Sequence, residues 1–500
     1  MNSKIRKILA GIFFILITLL FLDFTGSIHT WFGWMAKIQF LPALLALNFV
    51  VVIALVLLTL LMGRIYCSVI CPLGVLQDIF GWLGKKAKKN RYSYSKPLNV
   101  LRYVMLAVLV VALVAGFTSV AAFIAPYSAF GRIASNLLSP IYLWGNNLLA
   151  SWAESLDSYA FYSTEMWIRG GVTLAISVIT LVVLFVLAFR NGRTYCNTIC
   201  PVGTILGFLS RYSWLKPVID TSKCNGCGLC ARNCKASCID SKNHAIDYSR
   251  CVVCLDCIDK CRKGAIRYEH RKKAEQEVEV ETSKTGNGRR AFLTTSVLVA
   301  SAAFAQHQKR HRHGKMKMDG GFAPIEEKQK PNRETPLTPP GSLSAKNLAQ
   351  HCTACQLCVQ ACPNQVLRPS GGLVNFMQPE TSYERGYCRP ECTKCSEVCP
   401  TGAIRPITKE EKSAIQIGHA VWVPENCIVN TDGEKCGNCA RHCPTGAILM
   451  VPKDANDPKS LQIPVVNTER CIGCGACENL CPSRPFSAIY VEGHEVHREI

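Results

Sequence analysis

The chain has 500 residues, 29 cysteines and a formal net charge of +21. Most of the cysteines fall in regular C-x2-C-x2-C-x3-C runs, which excludes a small disulfide scaffold and points to iron–sulfur ligation. The basic excess flanks apolar stretches and interleaves with no aromatic platform, so it marks the cytoplasmic side of a membrane protein and excludes nucleic-acid binding.

Lys4, Arg6 and Lys7 precede the strongly apolar residues 8–22. Asp23-Phe24-Thr25-Gly26 follows in place of an A-x-A cleavage site, which predicts an uncleaved first span. Further spans are expected over 40–62, with Asn48 inside it, 103–125 and 170–189, each about the 20 residues a hydrocarbon core requires. Loop 63–98 carries Arg64, Lys85, Lys86, Lys88, Lys89, Arg91 and Lys96 against Asp78, whereas loop 126–168 carries Arg132 against Glu154, Asp157 and Glu165. The positive-inside rule then assigns the N-terminus, loop 63–98 and residues 190–288 to the cytoplasm of a multi-pass inner-membrane protein.

One stretch occurs twice. Gly63-Arg64-Ile65-Tyr66-Cys67-Ser68-Val69-Ile70-Cys71-Pro72-Leu73-Gly74 returns 129 residues later as Gly192-Arg193-Thr194-Tyr195-Cys196-Asn197-Thr198-Ile199-Cys200-Pro201-Val202-Gly203. Both copies follow an apolar run on the cytoplasmic side. Four thiols at two symmetry-related helix ends suit one further iron–sulfur cluster. They suit equally two thiol/disulfide couples, or a copper(I) site.

Residues 1–215 are thus read as a four-span membrane domain. Residues 216–268 form a cytoplasmic two-cluster unit. In two-cluster ferredoxins the fourth cysteine of each run serves the other cluster. That rule groups Cys224, Cys227, Cys230 and Cys261 in one set, and Cys251, Cys254, Cys257 and Cys234 in the other. Lys235 and Arg262 stand where proline usually follows the last cysteine. Residues 269–288 read as a charged linker. Arg289-Arg290-Ala291-Phe292-Leu293 then opens a twin-arginine signal over 289–306, a fifth span, with a cleavage-like Ala303-Phe304-Ala305 before Gln306. Residues 307–345, with His307, His311, His313 and a basic tract, read as linker.

Residues 346–500 are expected to form a periplasmic domain with four runs: Cys352-Cys355-Cys358-Cys362, Cys388-Cys392-Cys395-Cys399, Cys427-Cys436-Cys439-Cys443 and Cys471-Cys474-Cys477-Cys481. Each ends in Cys-Pro. Consecutive and nested pairings of the runs fit the spacing equally. Twenty-four of the 29 cysteines are thereby assigned to six 4Fe–4S clusters and four to the repeat, leaving Cys238 as a small buried hydrophobe. The fold class is an α-helical membrane domain with two α+β ferredoxin-like units. No haem-attachment motif, Walker loop or nucleophile constellation is present in the sequence, and no bond-making catalytic residue is assigned.

On these motifs residues 1–267 resemble NapH, the membrane polyferredoxin of periplasmic nitrate respiration. Residues 289–500 resemble its exported partner NapG. The pair MauN and MauM and the membrane core of NosR share the pattern. The resemblance implies an electron-transfer component acting as a quinol dehydrogenase, which draws on the quinone pool and feeds a periplasmic reductase or cytochrome. Polar residues assigned to the periplasmic side offer quinol contacts: His29, Lys37, Gln39, Tyr127 and Ser128. The alternatives are a copper or iron reductase serving the maturation of a respiratory enzyme, and a quinone-independent conduit from cytoplasmic ferredoxin.

Overall fold

The computed structural model describes residues 3–23, 25–89, 92–165, 169–270 and 326–500. The twin-arginine stretch 289–306, with its fifth span, and the linker 269–288 beyond His270 lie outside the described residues.

The apolar first segment forms α1 (Ser3–Leu22). The expected second span is broken into α2 (Phe40–Leu45) and α3 (Phe49–Met62). Leu47 takes a left-handed φ of 53° there, and the Asn48 side chain accepts from Val51 N to start the new helix. The third is broken in the same way, into α6 (Asn99–Val114) and α7 (Ser119–Ile124), at Gly116 with φ 80°. A third break, at Ala125-Pro126, separates α7 from α8 (Pro126–Ile133). A long helix α9 (Ser139–Glu154) follows, then α10 (Gly171–Asn191). Among the described residues only α1 and α10 are long and apolar enough to cross a membrane by length and composition; α3 and α6 are apolar but have 14 and 16 residues. The expected continuous spans 40–62 and 103–125 are therefore corrected to broken helices. Val50, Val100, Val111 and Val114 point outward from α3 and α6 with exposures of 67–85%, a surface suited to lipid rather than water.

The two repeats superimpose in local form. α3 ends at Gly63 (φ 72°) and α10 at Gly192 (φ 71°), left-handed positions where a side chain is disfavoured. Each is followed by a five-residue helix carrying the first cysteine, α4 (Ile65–Val69) and α11 (Thr194–Thr198). A helix begun by the Cys-Pro proline comes next, α5 (Pro72–Lys86) and α12 (Pro201–Leu209).

The first cysteine-rich unit is closed by the antiparallel pair β1 (Leu215–Ile219) and β4 (Ile266–His270), with β2 (Ile239–Asp240) against β3 (Ala245–Ile246). The second has β5 (Leu367–Pro369) on β6 (Pro379–Thr381), β7 (Ile415–Trp422) on β10 (Ile489–Glu499), and β8 (Ile448–Pro452) on β9 (Gln462–Val466). Residues 326–345, expected as linker, pack on this unit instead. Leu337 is fully buried, and Arg333 reaches Glu478 at 2.6 and 2.7 Å.

The two units sit at opposite ends of α1. At its start Lys7 pairs with Asp256 at 3.1 Å; just past its end Thr25 O accepts from Lys394 Nζ at 3.1 Å. Twenty helical residues span about 30 Å, the thickness of a bilayer's hydrocarbon core.

Candidate functional site: a line of cysteine sets

In the first unit one cavity is lined by Cys234 together with Cys251, Cys254 and Cys257. This is the crossed set expected from the spacing. Val253 (φ 51°) and Leu255 (φ 62°) hold the loop in left-handed turns that wrap the cysteines round the cavity. Ala265 N donates to Cys261 Sγ at 3.3 Å. Cys238 lines the same cavity, and its Sγ lies 3.5 Å from that of Cys234.

In the second unit Cys362 shares a cavity with Cys388, Cys392 and Cys395, and Cys481 shares one with Cys427, Cys436 and Cys439. The remaining thiols follow suit. Cys358 has Cys352, Cys355 and Cys399 within electrostatic reach, and Cys474 has Cys471 and Cys443. The runs thus pair consecutively with crossed fourth cysteines, a choice the spacing leaves open. Backbone amides point at the fourth sulfurs: Val366 N to Cys362 (3.4 Å), Ala447 N to Cys443 (3.2 Å) and Ala488 N to Cys481 (3.3 Å). Four cysteines round a cavity, with amides aimed at their sulfurs, fit a cubane cluster. None of the 29 cysteines forms a disulfide.

The four repeat cysteines lie within electrostatic reach of one another in the helical core, each 3–4% exposed. The two halves hold each other by exchange. Arg64 Nη2 donates to Cys196 O (3.2 Å) and Arg193 Nη1 to Cys67 O (2.5 Å), and both guanidinium groups are fully buried. A Cβ on Gly74 would collide with Cys67 O and one on Gly203 with Cys196 O, so both glycines are required for this approach. Arg64 Nη2 also faces Cys67 Sγ at 3.9 Å, and Gln77 Nε2 donates to Cys196 Sγ at 3.1 Å. A fixed positive charge and N–H donors lie at the sulfurs, where they would offset the charge of bound thiolates, the form that holds metal. Among the described residues no three His, Cys, Asp or Glu side chains converge as a single ion requires. A cubane spreads its thiolates over separate corners, so the lack of a three-ligand point does not bear on it.

The quartet adjoins both units. Towards the first, Arg193 N donates to Lys235 O (2.7 Å), Asn197 Nδ2 to Ala236 O (3.2 Å) and Arg64 Nη1 to Ser249 O (3.0 Å). Asp78 gathers Arg193 (2.7 Å), Lys235 (2.9 Å) and Arg6 (3.6 Å). Burial pushes the Asp78 carboxyl up, but the cations outweigh it and hold it well below the usual range. Towards the second unit, Tyr195 donates to Ile124 O (2.9 Å) beside Arg132, which lies within electrostatic reach of both Tyr195 and Cys355. Thr118 Oγ1 bonds Cys352 O (2.9 Å), and Asn136 Nδ2 bonds Gln356 Oε1 (2.8 Å). A single apolar core therefore contains Cys230, Cys234, Cys254 and Cys257, the whole quartet, and Cys352, Cys355 and Cys358.

The five polar residues named for quinol do not meet. Lys37 is exposed. Gln39 is buried, with its Oε1 bound by Tyr66 (3.0 Å). Tyr127 and Ser128 are buried on α8, Tyr127 near Cys355 and Cys399. His29 is half-buried against Asp23 (3.2 Å). Sequence reasoning missed Asp23, Gln77 and the cross-repeat roles of Arg64 and Arg193, although the Gly-Arg pair that opens each copy carried that signal.

A family model described as a 4Fe-4S binding domain matches residues 44–91 and 172–221, the two repeat copies, and one described as a 4Fe-4S dicluster domain matches 427–484. The ferredoxin-type protein NapF of Escherichia coli is 30% identical over 32% of this chain and 87% of its own length. The methylamine utilization ferredoxin-type protein MauM of Methylobacillus flagellatus is 34% identical over 29% and 64%. The ferredoxin-type protein NapH of E. coli is 26% identical over 44% and 67%. Over the first three relatives the chain spans 38%, 55% and 64% of their length. No solved structure matches.

Proposed function

The chain belongs to the ferredoxin-type electron-transport proteins typified by NapH, MauN and MauM, and from that premise we propose that it is a quinol dehydrogenase that hands electrons to a periplasmic acceptor. Iron–sulfur electron transfer is the shared role. The observation that carries the finer reading is the unbroken buried line of cysteine sets from one end of α1 to the other.

An iron–sulfur cluster supplies a one-electron site whose potential is set by its ligands, hydrogen bonds and burial. In this reading 24 cysteines hold six such sites and the repeat quartet holds a seventh. The set with Cys224 and Cys227, the most exposed, stands at the cytoplasmic end. The set closed by Cys234 follows, next to the quartet. On the other side come the Cys352–Cys399 set and then the Cys388–Cys362 set. Cys388 N donates to Cys474 O (2.9 Å), which brings the Cys471–Cys443 set next, and the Cys427–Cys481 set ends the line. The residues between exclude water and keep neighbouring sets in contact. Arg64 and Arg193 offset the negative charge that four thiolates would bring into the membrane core.

The test is reduction of the purified full chain in nanodiscs by menaquinol or ubiquinol analogues, read by absorbance bleaching and electron paramagnetic resonance. Reduction of the clusters is expected. If no quinol reduces any of them, the dehydrogenase reading is wrong.

A further inference from the structure

A cavity of about 250 Å³ opens at the far end of α1, between that helix and α9. Leu19, Leu22 and Ile28 supply its aliphatic wall, Tyr142 and Phe161 its aromatic wall, and Asp23 its polar end. This is the make-up of a site for a flat, amphipathic ring: apolar walls with one directed polar group.

The polar end is built rather than incidental. Asp23 is 2% exposed in its side chain. Its Oδ1 accepts from Thr25 N (3.0 Å) and Gly26 N (2.8 Å), its Oδ2 from Ile28 N (2.8 Å) and His29 N (3.1 Å). These bonds keep the carboxylate ionised and fixed. Its Oδ2 also meets His29 Nδ1 at 3.2 Å. The His29 side chain is 10% exposed, and its Nε2 is buried with no hydrogen-bond partner. Burial pushes the His29 ring's pKa down, and the Asp23 carboxylate on one ring nitrogen works against that by stabilising the imidazolium that forms when the ring accepts a proton. The charged groups facing His29 are Asp23 and Lys394. Lys394 lies between Cys392 and Cys395 and also donates to Thr25 O. Two residues before Asp23, Phe21 packs on Tyr127 at 5.7 Å, and Tyr127 adjoins Cys355 and Cys399.

We propose that this cavity binds the quinol head group at Asp23, which lines it, and that His29, bonded to Asp23 from behind the cavity wall, shares with it in accepting the proton. This rests on the quinol dehydrogenase reading above. Each quinol gives up two protons and two electrons and leaves as quinone. One proton goes to the Asp23–His29 pair and the other to water on the outer side. The two electrons would leave singly towards the second unit, whose Cys355 and Cys399 would hold the receiving iron–sulfur group, with Phe21 and Tyr127 packed in the gap. The quinol hydroxyl stands at Asp23 and its ring lies between Leu22 and Phe161.

The experiment uses the full chain in nanodiscs with a menaquinol analogue, and compares the wild type with His29→Gln and Leu22→Trp. Dithionite reduction is followed in parallel to establish that all clusters are present. His29→Gln is expected to slow the maximal rate of quinol reduction at least tenfold at an unchanged half-saturating concentration. Leu22→Trp is expected to raise that concentration at least tenfold. Dithionite reduction is expected to be the same in all three. If the wild type is reduced by quinol and both variants match it, the site is elsewhere and the dehydrogenase reading stands. If the wild type is not reduced by any quinol, the dehydrogenase reading itself falls, and this site with it.

Discussion

The two cysteine-rich units grip the membrane core in different ways. The first is held by charge: Asp78 collects Arg6, Arg193 and Lys235, and Lys7 reaches Asp256. The second is held chiefly by neutral hydrogen bonds, from Thr118 to Cys352 O, Asn136 to Gln356 and Gln360 to Ser139 (2.7 Å). The difference follows from the sequence bias of the two faces. The face that carries Arg6, Lys7 and Arg193 is met by acids from both sides, Asp78 of the helical core and Asp256 of the unit. The other face has few cations, so its partner is matched through amides and hydroxyls. At both interfaces Arg193, Thr118, Asn136 and Gln360 are buried, where an unmatched polar group is costly.

Perturbing each interface in turn separates them. Arg193→Met leaves Asp78 without its closest partner and opens the quartet's bond to Cys67 O. A loss of about 3–5 kcal/mol is expected from breaking such a buried pair, read as a lower melting temperature and as protease release of residues 216–268. Acid separates the units in a different way. Burial pushes His497, which lies 2.8 Å from Thr338 Oγ1, down to about 4. Its folded value lies below the unfolded one, so the stability it permits is full above about pH 6.5 and is lost as pH falls towards 4. The second unit should weaken by about 2 kcal/mol over that window, and His497→Gln should abolish the dependence. Asp78, held lower still, keeps the first interface intact until the pH is below about 4. At the neutral interface Asn136→Leu strands the Gln356 amide oxygen. It should cost about 1–3 kcal/mol, measured by denaturant titration, with no salt dependence. Smallest of all is Lys7→Ala. Lys7 is half exposed, so its removal should cost no more than about 0.5 kcal/mol, and less in high salt.

What was legible in the sequence was local. The C-x2-C-x2-C-x3-C runs, the crossed set closed by Cys234 and each copy of the Cys-x3-Cys-Pro stretch lie within a few tens of residues, and their chemistry demands that spacing. The spans were only half legible. Hydropathy averages over the left-handed breaks at Leu47 and Gly116, where one backbone angle ends a helix without changing apolar content. Consecutive pairing of the four later runs was illegible because nested pairing satisfies the same spacing. The exchange of Arg64 and Arg193 between repeats joins positions more than a hundred residues apart. So does Asp78 with Arg193 and Lys235. Asp23 read as a plain interruption after an apolar run; only the backbone turn that wraps five donors round it reveals a built polar end.

The central claim is that the four repeat thiols join the two units into one electrical line through the membrane. Sealed proteoliposomes containing the full chain, with an impermeant reductant outside and an encapsulated electron acceptor inside, test it directly. The wild type should reduce the trapped acceptor, and Cys71→Ser with Cys200→Ser should stop that transfer while every other cluster still forms and takes up electrons from dithionite. Equal transfer with and without the quartet would contradict the account.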